Sequence, residues 1–568
     1  MKKLVVGAGI VSLAALGYVA TMQDSASSNS QVLANVPADT VMLSAQLTPF
    51  PIKQYLASSA KQYQAMPHEP IPLDVAPELP ISPLFISLFN SAMAKLDDPQ
   101  AVLAQFGIAD TMRSSSYFIG ALPVMKFEVT NPAAFWAEID RAEVESGVLH
   151  QAQNLRGLAV RSYPVLDSGE PESIDLVIAE KDGWVTFTFK SSLIDEEYTA
   201  QALDLAQVSN PITQTSYVED IFKQYNFTKD GVSFINHQAL VNGLTSESGN
   251  TLAKQISGIA ALQGSQELAM MRSTECHTEL MSIANNWPKT VMGIDKLEVK
   301  SGYSTMASRV IVESKNAKIL KALSKLQGFV PSFGEQSLFA MGLGIDVGEV
   351  SSSINAIWSD LQTPSYQCAP LAQMQQEIAQ QNPMMLGMMT GMADGVKGIS
   401  ISVNGYQLSE QNGQPKVDNL DALVAVSAQD PSLLLNMVAP FYPPLAQVQL
   451  TDGGEAVDVS SMLMLPPEYG VTAKLALRGN HLVLFSGEKG AAMVDNLASQ
   501  KLENNGFIAT QIDYKKAIGP LIDVIENSGE EMPPELEMFK HYDMNMSMDI
   551  RFTDNGIELG SKVEYGDK

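Results

Sequence analysis

Two hydrophobic periods take turns along this chain. Alternating runs mark strands. Val36-Pro37-Ala38-Asp39 opens a strand-like run from Thr40 to Leu47, and a helix-like stretch follows from Pro51 to Gln62. Met125 to Thr130 alternates and runs into Asn131-Pro132, which opens a helical pattern over Ala133 to Glu145. Asp175–Ile178 and Val185–Phe189 flank Asp182-Gly183, while Lys474–Leu477 and Leu482–Phe485 flank Gly479-Asn480. Two-residue turns containing glycine, set between alternating runs, predict β-hairpins. Longer hairpins are expected at Lys296 to Val312 and at Met544 to Tyr565, the second turning at Asp554-Asn555-Gly556. Met544, Met546, Met548, Ile550 and Phe552 share one face of that strand, a core pattern of period two. Hairpins interspersed with helices predict an α+β fold with antiparallel neighbours.

The landmarks also recur in order, which predicts a tandem duplication. Val36-Pro37 pairs with Val330-Pro331, and Asp98-Pro99 through Asp110 with Asn382-Pro383 through Asp394. The two hairpins pair with each other, as do Asp230-Gly231 and Asn505-Gly506. The expectation is a segment 1–30 that targets or anchors the chain, a first copy over 31–329 and a second over 330–568. Each copy would form its own antiparallel sheet, covered by helices on one face. Pro67, Pro70, Pro72, Pro77, Pro80 and Pro83 read as an extended connector inside the first copy.

Composition adds limits. The chain has 568 residues, 45% of them hydrophobic, and a formal charge of −27. That is enough apolar material for sizeable cores. The acidity argues against binding nucleic acid through a broad basic face. Lys2-Lys3 precede an apolar run from Leu4 to Met22, and a polar stretch, Gln23 to Ser30, follows. This is the export pattern. At about 19 residues the run reads as a signal segment or as an anchor in the inner membrane. Tyr18 spoils the cleavage context before Ala20, which favours the anchor, whereas Ser25-Ala26-Ser27 offers an alternative cut. The location implied is periplasmic or anchored facing the periplasm. The two cysteines, Cys276 and Cys368, are expected to pair there and to staple the copies together.

Candidate chemistry is sparse. Met384, Met385, Met388, Met389 and Met392 form a Met-rich helical pattern, a candidate apolar binding surface. Thioethers also select soft metals, so copper handling is an alternative, with Met270, Met271, Cys276 and His277 as possible further ligands. The aligned positions of the first copy hold Gln100, Ala101, Ala104, Gln105 and Ile108, which favours packing over metal. Gly342, Gly344 and Gly348 lack the dinucleotide spacing and read as a tight turn. No histidine pair has helical zinc spacing, and no nucleophile elbow or phosphate loop occurs. No catalytic residue, resident metal or cofactor is assigned. The leading expectation is a non-enzymatic envelope protein that binds or scaffolds a protein or apolar ligand. A hydrolase assembled between the two copies is the third reading.

The segment VPADTVMLSAQL after an export signal, followed by a long α+β body, resembles a family of exported bacterial proteins known only as a domain of unknown function. The resemblance implies an envelope location and carries over no reaction, substrate or site residue.

Overall fold

The structure is a computed structural model. It describes residues 29–566 apart from 65–69, 76–78, 168–172, 264–265, 301, 335–336, 381–392, 412–413, 439–441, 466–468, 470, 529–531, 534–535, 537–538 and 540–542. The chain divides into two compact units, the first reaching to Val310 and the second running from Ile311 to Tyr565.

The first unit begins with α1 (Asn29–Leu33), β1 (Met42–Phe50), α2 (Ile52–Gln64), α3 (Ser82–Met93), α4 (Pro99–Gln105), β2 (Met112–Ile119), β3 (Leu122–Glu128) and α5 (Pro132–Ser146). It continues through β4 (Gln151–Leu155), β5 (Leu158–Asp167), β6 (Ser173–Lys181), β7 (Trp184–Ser191), α6 (Glu196–Ala202) and α7 (Tyr217–Tyr225). Then come β8 (Gly231–Asn236), α8 (His237–Thr245), α9 (Thr251–Gln263), α10 (Gln266–Met271), α11 (Thr274–Asn286), β9 (Lys289–Lys300) and β10 (Tyr303–Glu313), whose end crosses into the second unit. Pairing gives the lateral order β4-β5-β6-β7-β3-β2-β1-β8-β9, all antiparallel.

Local chemistry sets the boundaries. Asn131 caps α5 by accepting from the Ala134 N–H, Pro132 occupies the first turn, and Gly147 ends the helix at φ 72°. Asp98 and Pro99 begin α4 the same way. Asp182 and Gly183 both adopt positive φ, as the tight β6–β7 turn requires. Alternation then decides which side chains are covered on each face. Ile178 and Leu176 pack with Phe135 and Ile139 of α5, while Val177 and Ala179 pack with Leu155, Val160 and Leu203 on the other side.

The second unit contains α12 (Ala317–Leu326), β11 (Phe339–Gly344), α13 (Val347–Leu361), α14 (Ala369–Ala379), β12 (Val396–Gln411), β13 (Gln414–Ala428) and α15 (Ser432–Val438). It closes with β14 (Val457–Asp458), β15 (Lys474–Arg478), β16 (His481–Ser486), α16 (Gly487–Ala498), β17 (Ile508–Asp513), α17 (Tyr514–Ser528), β18 (Met544–Thr553) and β19 (Gly556–Tyr565). Its lateral order is β19-β18-β17-β11-β12-β13-β16-β15-β14.

The α+β content holds, but the expected pair of sheets does not. Among the described residues nineteen strands belong to one antiparallel sheet that does not close, and a tandem duplication is not shown. Hairpin signals report only neighbours close in sequence. Every hairpin leaves edge N–H and C=O groups that must pair with something, and the local pattern does not say with what. Coverage on one face is corrected too. In the second unit Val494 and Leu497 of α16 pack on Leu423, Ala425 and Val483. Leu434 of α15 and Val347 of α13 pack with Val426 and Leu482, which alternate to the opposite face.

Candidate functional site

In the central strands of the second unit, β11, β12 and β13, one alternation is apolar throughout: Met341 and Leu343, Ile399 and Ile401, Val424 and Val426. An apolar sheet face normally lies covered. Here one face is covered by α16 and the other only in part. Met341 lies opposite Ile401, Ile401 opposite Val424, and Val424 opposite Leu484, so a straight apolar row crosses four strands. Directly opposed residues share a face. One step along, Leu343, Ile399 and Val426 form a second row on that face.

Helices cover the ends of this surface. At one end α15 and Val347 of α13 take up Val426 and Leu482. At the other, a bulge between Val403 and Gly405 brings Tyr406 to the same side as Val424. There the Tyr406 hydroxyl donates to the Ala517 carbonyl of α17. The middle stays open: Met341, Ile401, Val424 and Ile399 are 41%, 40%, 38% and 51% exposed. Exposed apolar side chains scattered singly are ordinary, whereas these four are contiguous on adjacent strands.

The ionisable clusters of the first unit are built for stability. Glu143 of α5 is buried and accepts from Tyr163 Oη (2.6 Å) and Arg161 Nη1 (3.2 Å), and it meets His150 Nδ1 (2.7 Å). Arg161 also pairs with Asp140 (2.7 Å) and lies over the Trp136 ring at 4.5 Å. Burial, then the Glu143 contact, pushes the Tyr163 hydroxyl above its ordinary pKa, so it remains a donor. Lys126 is buried on β3 and pairs with Asp204, whose other partner is Asn35 Nδ2. Burial lowers the Lys126 pKa, and Asp204 opposes that shift. Beside them the buried hydroxyls of Ser115 and Tyr117 have no hydrogen-bond partner among the described residues.

The expected site residues fall as follows. Met384, Met385, Met388, Met389 and Met392 lie outside the described residues, as does the segment from Lys2 to Met22. Cys276, in the first turn of α11, and Cys368, the N-cap residue of α14, are disulfide-bonded and buried. Cys276 therefore offers no thiolate to a soft metal, and the nearby His277 Nδ1 is engaged by Thr245 Oγ1 at 2.8 Å. Among the described residues no group of three or more His, Cys, Asp or Glu side chains could hold a metal ion, and no helix is long and apolar enough to cross a membrane. His237 is partnered at both ring nitrogens, by the Trp287 carbonyl (2.7 Å) and Thr290 Oγ1 (3.1 Å). Gly342 and Gly344 are explained by close packing. A Cβ at Gly344 would lie 2.3 Å from the Gly506 carbonyl oxygen, and one at Gly342 would lie 2.9 Å from Val330 Cγ1. Sequence reading missed the apolar row. Its signal was the strict apolar alternation of Phe339, Met341 and Leu343, of Ile399, Ile401 and Val403, and of Val424 and Val426.

No family model, curated protein or solved structure matches the chain. The resemblance to exported proteins carrying a domain of unknown function is therefore not sustained. The segment behind it has structural duties that a short motif repeats easily. Asp39 accepts from Thr251 N (2.8 Å) and Oγ1 (2.7 Å) at the start of α9, and Thr40 Oγ1 accepts from Phe118 N (3.1 Å).

Proposed function

We propose that this is an exported cell-envelope protein that acts by binding or scaffolding and not by catalysis. It holds a protein partner or an apolar ligand against the open sheet face of its second unit. The observation that carries this reading is the exposed cross-strand row Met341–Ile401–Val424, flanked by Ile399. A surface of this kind gains free energy when apolar area leaves water, at roughly 25 cal/mol per Å². Export is supported by Lys2-Lys3 and the apolar run to Met22, which would hold the chain at the inner membrane if it is retained. A disulfide suits the same oxidising compartment.

The test places a photo-crosslinking side chain at Ile401 in the native envelope, with the same group at exposed Lys501 as control. A discrete adduct at 401 that Met341→Asp abolishes is the expected result. Adducts of equal yield and pattern at both positions, or none at 401, overturn the reading.

A further inference from the structure

The opposite face of the same sheet carries a second, chemically different feature. A cleft of about 460 Å³ lies between the chain at Pro331–Gly334, one side of α16 from Lys489 to Leu497, and a floor provided by β12 and β13. Its volume falls within the range of small-molecule sites. The floor is polar where a core would be apolar. Ser400, Ser402 and Asn404 follow one another at alternate positions of β12, and Ser337 faces Ser402 across an Oγ–Oγ contact of 3.2 Å. Ser400 is 5% exposed, and its hydroxyl makes no hydrogen bond among the described residues. Asn404 Oδ1 is buried with no donor in reach among the described residues. Leaving a buried acceptor such as Asn404 Oδ1 unsatisfied is unfavourable, and a ligand N–H donor would recover that cost.

Lys489 of α16 stands at this floor. Its ammonium reaches the Asn404 carbonyl oxygen at 3.5 Å and forms no ion pair among the described residues. That is unusual in a chain with 63 carboxylates and 36 basic side chains. Asp421, on the neighbouring strand, accepts from the Lys489 backbone N–H (3.0 Å) and is committed to the start of α16. The remaining wall is apolar: Phe333, Leu423, Met493 and Leu497. The loop wall is also held in place. Gln500 binds the Ser332 backbone at both N–H (2.9 Å) and C=O (3.3 Å), and Asn505 does the same for Val330 (2.8 and 2.9 Å). The cleft is therefore formed before any ligand arrives.

We infer that this cleft binds a small carboxylate with an apolar side chain and an N–H donor, the chemistry of the C-terminal end of a short peptide. The carboxylate meets the Lys489 ammonium, with serine hydroxyls as further donors. The ligand N–H satisfies Asn404 Oδ1. The apolar side chain packs on Phe333, Met493 and Leu497. Arg or Lys pairing with carboxylates is the usual device for such recognition, and a lysine supplies it as a point charge. The inference stands apart from the apolar row, which lies on the opposite face.

The test is calorimetric titration of the purified full-length chain with N-acetyl-alanyl-leucine and, separately, with its C-terminal amide. Saturable binding of the acid is expected, with the amide about tenfold weaker or worse. Lys489→Met should weaken the acid about tenfold and leave the amide unchanged, because it removes a charge and not the pocket. Lys489 is exposed, so thermal unfolding of this variant should match the parent. Asn404→Leu should weaken both probes. No saturable binding of the acid, equal binding of acid and amide, or undiminished binding by Lys489→Met would each overturn the inference.

Discussion

Tyr163 donates a 2.6 Å hydrogen bond to Glu143 Oε1, and that carboxylate is also in reach of His150 and Arg161. One buried acid on α5 thus ties down β5 and the segment that leads into β4. Replacing it leaves the Tyr163 phenol without its acceptor and the Arg161 guanidinium with Asp140 alone. Breaking such a pair from one side costs about 3–5 kcal/mol. Glu143→Ala is expected to destabilise by about 3 kcal/mol or more in urea unfolding, and Tyr163→Phe by about 1 kcal/mol. Near-equal, small effects would show that the network is decorative.

His481 gives the protein an acid-sensitive point. The ring is buried on β16, and its Nδ1 meets Ser427 Oγ at 2.8 Å. Burial lowers its pKa to about 4. In the unfolded chain the same ring takes up a proton near 6.5. Its contribution is therefore complete above pH 6.5 and is lost as the pH falls through about 4, amounting to at most about 3 kcal/mol. His481→Asn should flatten the stability profile between those values. A parent profile with the same slope as the variant would remove His481 as the cause.

The Cys276–Cys368 disulfide closes a long loop between α11 and α14. A chain-entropy model gives such a bridge about 4–5 kcal/mol, less any native strain. Reduction, or the paired substitution Cys276→Ala with Cys368→Ala, should lower the denaturant midpoint clearly. Unreduced peptide mapping should recover the two cysteines in one linked fragment. Free thiols in protein isolated without reductant would contradict the bond.

Tyr117 offers a substitution with the opposite sign. Its hydroxyl is buried without a partner among the described residues, and burial followed by Asp204 pushes its pKa well up. Tyr117→Phe removes an unsatisfied polar group and keeps the ring. The variant should be as stable as the parent or gain about 1 kcal/mol. A loss of more than about 1 kcal/mol would mean that an ordered water satisfies the hydroxyl.

Much of the local structure was legible. Asn131-Pro132 begins α5, Asp98-Pro99 begins α4, and Asp182-Gly183 turns the β6–β7 hairpin, because each signal acts through its own backbone. The partners of strand edges were not legible, since a hydrogen-bonding edge carries no address. The pairing of Glu143 with Tyr163, or Lys126 with Asp204, was equally hidden. Among 63 carboxylates nothing local marks the ones that become buried.

The sequence by itself determined the α+β alternation, the hairpin turns, the acidic balance and the presence of only two cysteines, all properties of neighbouring residues or of counts. The tertiary structure decided that the strands form one sheet and not two. It also decided that Met341, Ile401 and Val424 stand in one exposed row, and that Lys489 faces Asn404 without an acidic partner. Those facts depend on register and on which helix covers which face. Both are set by the packing of segments far apart in the chain, where the periodicity of each segment alone is silent.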